Sequence, residues 1–332
     1  MKSLMRSTLV AALLAAGGDA AVAADKVSFG LNWIPDTEHG GYYQAVVDGT
    51  YAKYGLDVTI VPGGPSANNA LLLVSGKLDF CMGANMIEAF NAVKENVGFI
   101  VVAAEYQKDP QILMSHPGAG YDKFTDLPKA TAIVAQTALV SYYAWLKSAY
   151  GFKDENVKPY TFNSAPFIAD KNSIQQGYVN YEPYDIEKNG HFKPNVFLLA
   201  DYGFSTYSTT IEARLDTVEK KPDLVQRFVD ATAIGWYHFL YGDNAKALAL
   251  IKTQNPDLTD DQIEYGLKSL KENGIVDSGD TLKLGIGAMT DERVKDFFDK
   301  MVKAGVFTND LDYKKSYTLK FVDKGVGIDL HK

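Results

Sequence analysis

Cysteine is almost missing from this sequence. The one residue of that type in 332, Cys81, can close no internal disulfide and build no thiolate metal cage. Histidine is also scarce: the five, at positions 39, 116, 191, 238 and 331, never fall at a metal-ligand spacing. Positive charge is in deficit, with 33 Lys and Arg against 41 Asp and Glu and a net charge of −8. Such a balance excludes nucleic acid as the partner class, because phosphate backbones are held by clustered Lys and Arg. Phosphate and nucleophile signatures are lacking too. Gly76-Lys77 is followed by Leu78, so there is no Walker loop, and Gly64-Pro65-Ser66-Ala67 ends in Asn68, so there is no nucleophile elbow. Gly118-x-Gly120 and Gly285-x-Gly287 lack the third glycine and the preceding strand of a dinucleotide fingerprint. Low complexity and short-period repeats are absent. No local pattern advertises catalysis, and no cofactor or metal is expected.

What is present begins with a leader. Lys2 and Arg6 form a positive head, Leu9 to Ala16 an apolar run too short to span a bilayer, and Ala21-Val22-Ala23 a small-residue cleavage site. Residues 1–24 are therefore expected to be a removed signal peptide and the mature protein to be periplasmic. No cysteine near the cleavage point could accept a lipid. The remaining chain exceeds the size at which one core keeps growing, so two domains are the default. Cys81 lies in the apolar run Leu78 to Met82, where a buried, inert thiol is expected.

Strand and helix signals alternate along the mature chain. Strands are expected over Val27–Trp33, Leu56–Val61, Leu78–Met82 and Phe99–Ala104. Between them come helices over His39–Tyr54, Ala67–Ser75 with Ser66 as N-cap, and Met86–Asn96. This is the pattern of a mostly parallel sheet with crossover helices. A second unit repeats it, with strands at Ala130–Ala135, Val157–Phe162 and Asn195–Ala200 and helices at Thr137–Tyr150 and Pro166–Gln175. Thr206–Arg214 is extended and β-branched, and Asp223–Tyr241 is the clearest amphipathic helix. The expected architecture is α/β with two lobes, 25–106 together with 207–332 and 107–206. Two crossings between the lobes imply a hinge.

In an open α/β sheet, ligands bind beyond the carboxyl ends of the strands. Four loops would converge there: Pro35 to Gly41, Pro62 to Asn69, Gly83 to Asn85 and Gln136 to Ala138. Gly83 admits close backbone approach, and Ser66, Asn69, Asn85 and Thr137 supply neutral hydrogen-bonding groups.

Leu31-Asn32-Trp33-x-Pro35-x-x-x-His39, followed by Tyr51-x-x-Tyr54-Gly55-Leu56-Asp57-Val58 and Ser75-Gly76-Lys77-Leu78-Asp79, carries a family resemblance. It resembles the substrate-binding proteins of nitrate, sulfonate and taurine ABC importers, within them most the branch related to thiamine-pyrimidine synthase. The resemblance implies a two-lobed solute receptor of the type II periplasmic binding class, a monomer that delivers a small solute to a membrane permease and its ATPase. The fungal synthase of that branch makes the thiamine pyrimidine from a pyridoxal cofactor and its own histidine, which His39 matches. The family's cofactor lysine, however, falls at Ala84 or Asn85, and its cysteine-rich motif has no counterpart.

The expected solute follows from the side chains available. Trp33, Tyr42, Tyr181 and Tyr202 offer flat surfaces for a ring. Asp36, Glu105, Glu182 and Asp201 are acceptors for the amine and ring N–H of a protonated aminopyrimidine, with His39 beside them. The related proteins usually carry an aromatic, a glutamate and a proline at the Tyr181-Glu182-Pro183 position. A nitrogen heterocycle is therefore the first reading. A sulfonate, nitrate or other small-anion receptor is the second, and a pyrimidine-precursor synthase using His39 a third from a different class.

Overall fold

A computed structural model of the chain describes residues 23–331. The expected leader lies outside the described residues save for its last two. Among the described residues no helix is long and apolar enough to cross a membrane.

The chain builds two five-stranded sheets. Strands β1 (Asp25–Gly30), β2 (Leu56–Val61), β3 (Phe80–Asn85) and β4 (Phe99–Tyr106) belong to the first, here sheet A. The chain then crosses to sheet B, formed by β5 (Gln111–Ser115), β6 (Thr131–Val134), β7 (Val157–Pro159), β8 (Ser173–Tyr178) and β9 (Asn195–Leu198). It returns to sheet A as β10 (Ser208–Arg214). The orders, β2-β1-β3-β10-β4 and β7-β6-β8-β5-β9, follow one plan. Four strands of each sheet run in one direction, and the strand that has just crossed over is inserted antiparallel in fourth place. The carboxyl ends of the parallel strands in each sheet thus lie at one edge, where the crossings also occur.

Burial explains which segments became strands. Nearly every residue is buried in β10, a central strand, and in β4, an edge strand covered by helices and by bridges to Gly287 and Tyr317. β2 is an edge strand and alternates between covered and exposed positions. Helix Pro222–Tyr241 covers sheet A from one side, with the Phe228 ring stacked on Phe80 at 4.4 Å and on Tyr51 at 5.4 Å. Helix Gly40–Val47 lies against it at a glycine contact: a Cβ on Gly235 would overlap Gly41 and Ala45.

Several boundaries differ from the sequence reading. β1 ends at Gly30, because the chain turns through Asn32 to Asp36 before its helix. The helix expected over Pro166–Gln175 is confined to Ala165–Ala169, and Ser173–Tyr178 is a strand paired on both sides. β5 was not anticipated. The cap of the helix Asn69–Val74 is Asn68, whose Oδ1 accepts the Leu71 N–H at 3.1 Å; Ser66 is exposed and caps nothing.

Candidate functional site

The turn after β1 supplies the densest polar cluster at the strand ends. Asp36 caps a short 3-10 turn, Thr37–His39, and accepts the Glu38 N–H at 2.7 Å. The Asp36 N–H in turn donates to His39 Nδ1 at 3.2 Å. A ring nitrogen that accepts cannot carry the proton, so the neutral imidazole holds it on Nε2. That N–H has no hydrogen-bond partner and faces Glu38 Oε1 at 3.4 Å. Burial pushes the His39 pKa down to about 3, so the ring is neutral at ordinary pH. Asp36, Glu38 and His39 each offer a donor atom within 4.8 Å of the others, a count that would suit a divalent ion. The tautomer opposes it: with Nδ1 occupied and Nε2 protonated, His39 presents a hydrogen-bond donor and no lone pair.

Sheet B answers this turn with Glu182, at the start of the helix Glu182–Gly190. Its carboxylate accepts the Tyr178 N–H at 2.7 Å and the Tyr160 hydroxyl at 3.4 Å. Burial, with the charge of Glu182 opposite, raises the Asp36 pKa to about 7, and burial raises Glu182 itself to about 7. Glu38 is pushed up well above the usual carboxylate range by burial and then by Asp36 and Glu182. Among the described residues neither Asp36 nor Glu38 pairs with a lysine or arginine. The two sheets meet directly here. The Trp33 and Phe162 rings lie 5.3 Å apart, Phe162 is 5.3 Å from Tyr160, and Phe162 is exposed with its backbone at φ 60°. Helix Asp260–Glu272 closes the back, where a Cβ on Gly266 would overlap Thr37 and come within 3.3 Å of the Asn180 carbonyl.

Of the residues expected from the sequence, Trp33, Asp36, His39 and Glu182 are brought together, with Tyr181 beside them and exposed. Asn85 lies at the floor, capping the next helix and donating to Asp109 Oδ2 at 2.9 Å. Asn69 braces the strand ends, its Nδ2 donating to the carbonyls of Gly30 and Met82 at 3.3 Å each. Thr137 is exposed on a 3-10 turn. Other candidates sit elsewhere. Tyr42 is fully buried, its ring 4.4 Å from Phe29 and 5.9 Å from Trp236. Glu105, within β4, is buried with neither carboxylate oxygen hydrogen-bonded. Gly83 makes room for side chains, since a Cβ there would overlap the Glu212 carboxylate and come within 2.6 Å of Thr210 Oγ1. Asp201 pairs with Lys108 at 2.8 Å, and Tyr202, exposed on the surface of the sheet B lobe, stacks on Phe124 at 3.9 Å.

Sequence reading passed over Glu38 as a site residue, and it missed Asp109, Tyr160, Phe162 and Tyr178 altogether. The one signal was Tyr160-x-Phe162 directly after a short strand, two rings on one face. A hollow of about 810 Å³ lies away from this region, at the start of β4 near Phe99, Leu215 and Phe307.

Two mixed sheets, each flanked by helices and joined by two crossings, are the fold of the periplasmic binding proteins. The periplasmic aliphatic sulphonate binding protein SsuA from Escherichia coli superposes with a TM-score of 0.63 at 14% identity, covering 92% of this chain and 91% of that one. The periplasmic nitrate-binding protein NrtA from Synechocystis does so with a TM-score of 0.61 at 11% identity, covering 90% and 87%. In sequence, the riboflavin-binding protein RibY from Chloroflexus aurantiacus is 24% identical over 324 residues, 90% of this chain and 87% of the relative. The family model described as NMT1/THI5 like matches residues 36–243, and the chain belongs to that family.

Proposed function

We propose that this protein is a periplasmic solute receptor that closes two lobes, 25–106 with 207–332 and 107–206, around a flat, nitrogen-bearing heterocycle. It then delivers that solute, chemically unchanged, to an ABC permease and its ATPase. The observation that carries the reading is the facing of Asp36 and Glu38 by Glu182 across two sheets, in a place where, among the described residues, no basic side chain offsets the first two. Carboxylates gathered in this way accept hydrogen bonds and favour a cation, and they repel an anion. Among the described residues an anion would also find no arginine fork paired with this cluster. The Trp33 and Phe162 rings, packed on each other across the two sheets, part on opening to offer their faces to a ring, and the His39 Nε2–H is a single donor for a ring acceptor. A closed form is favoured by as much as the solute binds it better than the open form.

The name of the Chloroflexus relative favours a second version, a flavin in the same place. Both guests are flat nitrogen heterocycles and differ in charge. A thermal-shift screen of the mature protein with aminopyrimidines, thiamine, riboflavin, taurine and nitrate separates the readings. The melting temperature is expected to rise with an aminopyrimidine; a rise with riboflavin alone selects the flavin version. A rise confined to taurine or nitrate would overturn both.

A further inference from the structure

One side chain outside the cleft touches both crossings. Arg293, on the helix Asp291–Lys303, donates from Nε to the Ser205 carbonyl at 3.0 Å and from Nη2 to the Thr206 carbonyl at 3.4 Å, both on the returning segment. The same guanidinium donates to the Gln107 carbonyl and, at 3.2 Å, to Gln107 Oε1, on the outgoing segment. Its Cζ lies 4.1 Å from the centre of the Tyr207 ring, and Asp280 Oδ2 is 3.6 Å from Nη1. Further bonds from the carboxyl-terminal region fix the same two segments. Gln107 Nε2 donates to the Ala288 carbonyl at 2.9 Å, the Gln107 N–H to the Ile275 carbonyl at 2.7 Å, and the Tyr207 hydroxyl to Asp280 at 2.6 Å.

We propose that Arg293 is the hinge pin, a positioning residue that ties the two crossing segments to each other and so sets how far the sheets stand apart. The chain can change the angle between its sheets only by turning backbone dihedrals in Gln107–Pro110 and Gly203–Tyr207. Carbonyls held by one planar fork cannot turn independently, so the two segments must move as one. A lysine would keep the charge, the ring contact and the Asp280 attraction. It would lose the fork, because a single ammonium cannot reach carbonyls on both segments with fixed geometry. The proposal depends on the closure reading only in requiring that the sheets can turn, and it is independent of the solute.

The test places spin labels at Ser66→Cys and Asn163→Cys, exposed positions beyond β2 and β7, with the buried Cys81 left in place. The distance distribution is read without any solute by pulsed electron resonance. Arg293→Lys is expected to broaden it and add a longer population. Gln107→Ala, which removes one acceptor and keeps Arg293, should broaden it less. Circular dichroism melts report that each variant is folded, a state in which a merely structural brace would leave the spacing unchanged. Distributions for both variants that superimpose on the parent overturn the proposal. A parent spacing that ignores every solute in the thermal-shift screen would instead overturn the closure reading, since Arg293→Lys could still widen the spacing.

Discussion

Two groups of buried carboxylates differ in what surrounds them. Glu105 and Glu212 belong to strands of one sheet and are sealed by elements of the same body: Glu212 fills the space above Gly83 and accepts from the Cys81 thiol at 3.4 Å. Asp36, Glu38 and Glu182 lie at strand ends and are divided between two sheets. Burial raises every one of these pKa values, yet its consequence differs. An acid sealed inside one body burdens folding whenever it ionises. Acids divided between two bodies burden closure, and a cationic guest relieves them. Burial of an acid therefore does not mark a site by itself; its division between parts that can separate does.

The largest test of this contrast is Gly83→Ala. The new methyl would overlap Glu212 inside a closed sheet, so a stability loss of about 3 kcal/mol in urea unfolding is expected, from overpacking. Glu105→Gln should act in the opposite direction. Burial raises the Glu105 pKa from 4.5 to about 8, so between those values the unfolded chain releases a proton that the folded one keeps, and native stability falls as pH rises. Replacing it should add roughly 3 kcal/mol at pH 7 and flatten that slope in melts across the window. Solute affinity should not change in either folded variant.

Trp33→Ala should reverse the pattern, costing about 2 kcal/mol of affinity by calorimetry with little change in melting temperature. Unchanged affinity would remove Trp33 from the wall. The pH dependence is the most discriminating test. Asp36 and Glu182 have pKa values raised to about 7, so ionised carboxylates accumulate as pH climbs through that value. Affinity for a cationic solute should strengthen from pH 6 to 8, by about tenfold across that span for each carboxylate that ionises, while stability declines. A neutral flavin should bind no better at pH 8 than at pH 6.

Sequence reading found what periodicity and local chemistry determine. The apolar run at Leu56–Val61 became β2 as read, and the Trp-x-Pro-x-x-x-His phrase led to the turn that holds Asp36 and His39. It failed where distant partners decide. Ser-Ile-Gln-Gln-Gly-Tyr at 173–178 has weak strand preference, and only pairing with β5 and β6 makes it β8. Tyr42 illustrates the reverse error. Its neighbours argued for the cleft, but helix Gly40–Val47 turns that ring toward Phe29 and Trp236. Arg293 gave no signal, because nothing near it in sequence indicates that its helix reaches both crossings.

The insertion of β10 between β3 and β4 has a consequence for biogenesis. A nascent chain that has emerged only as far as Tyr106 has two strands separated by a gap, with unpaired edges on either side of it. That gap stays empty until Arg214 has been made, so native closure of sheet A must wait for more than half the polypeptide. Until then the facing edges of β3 and β4 offer their unpaired N–H and C=O groups to any other extended chain.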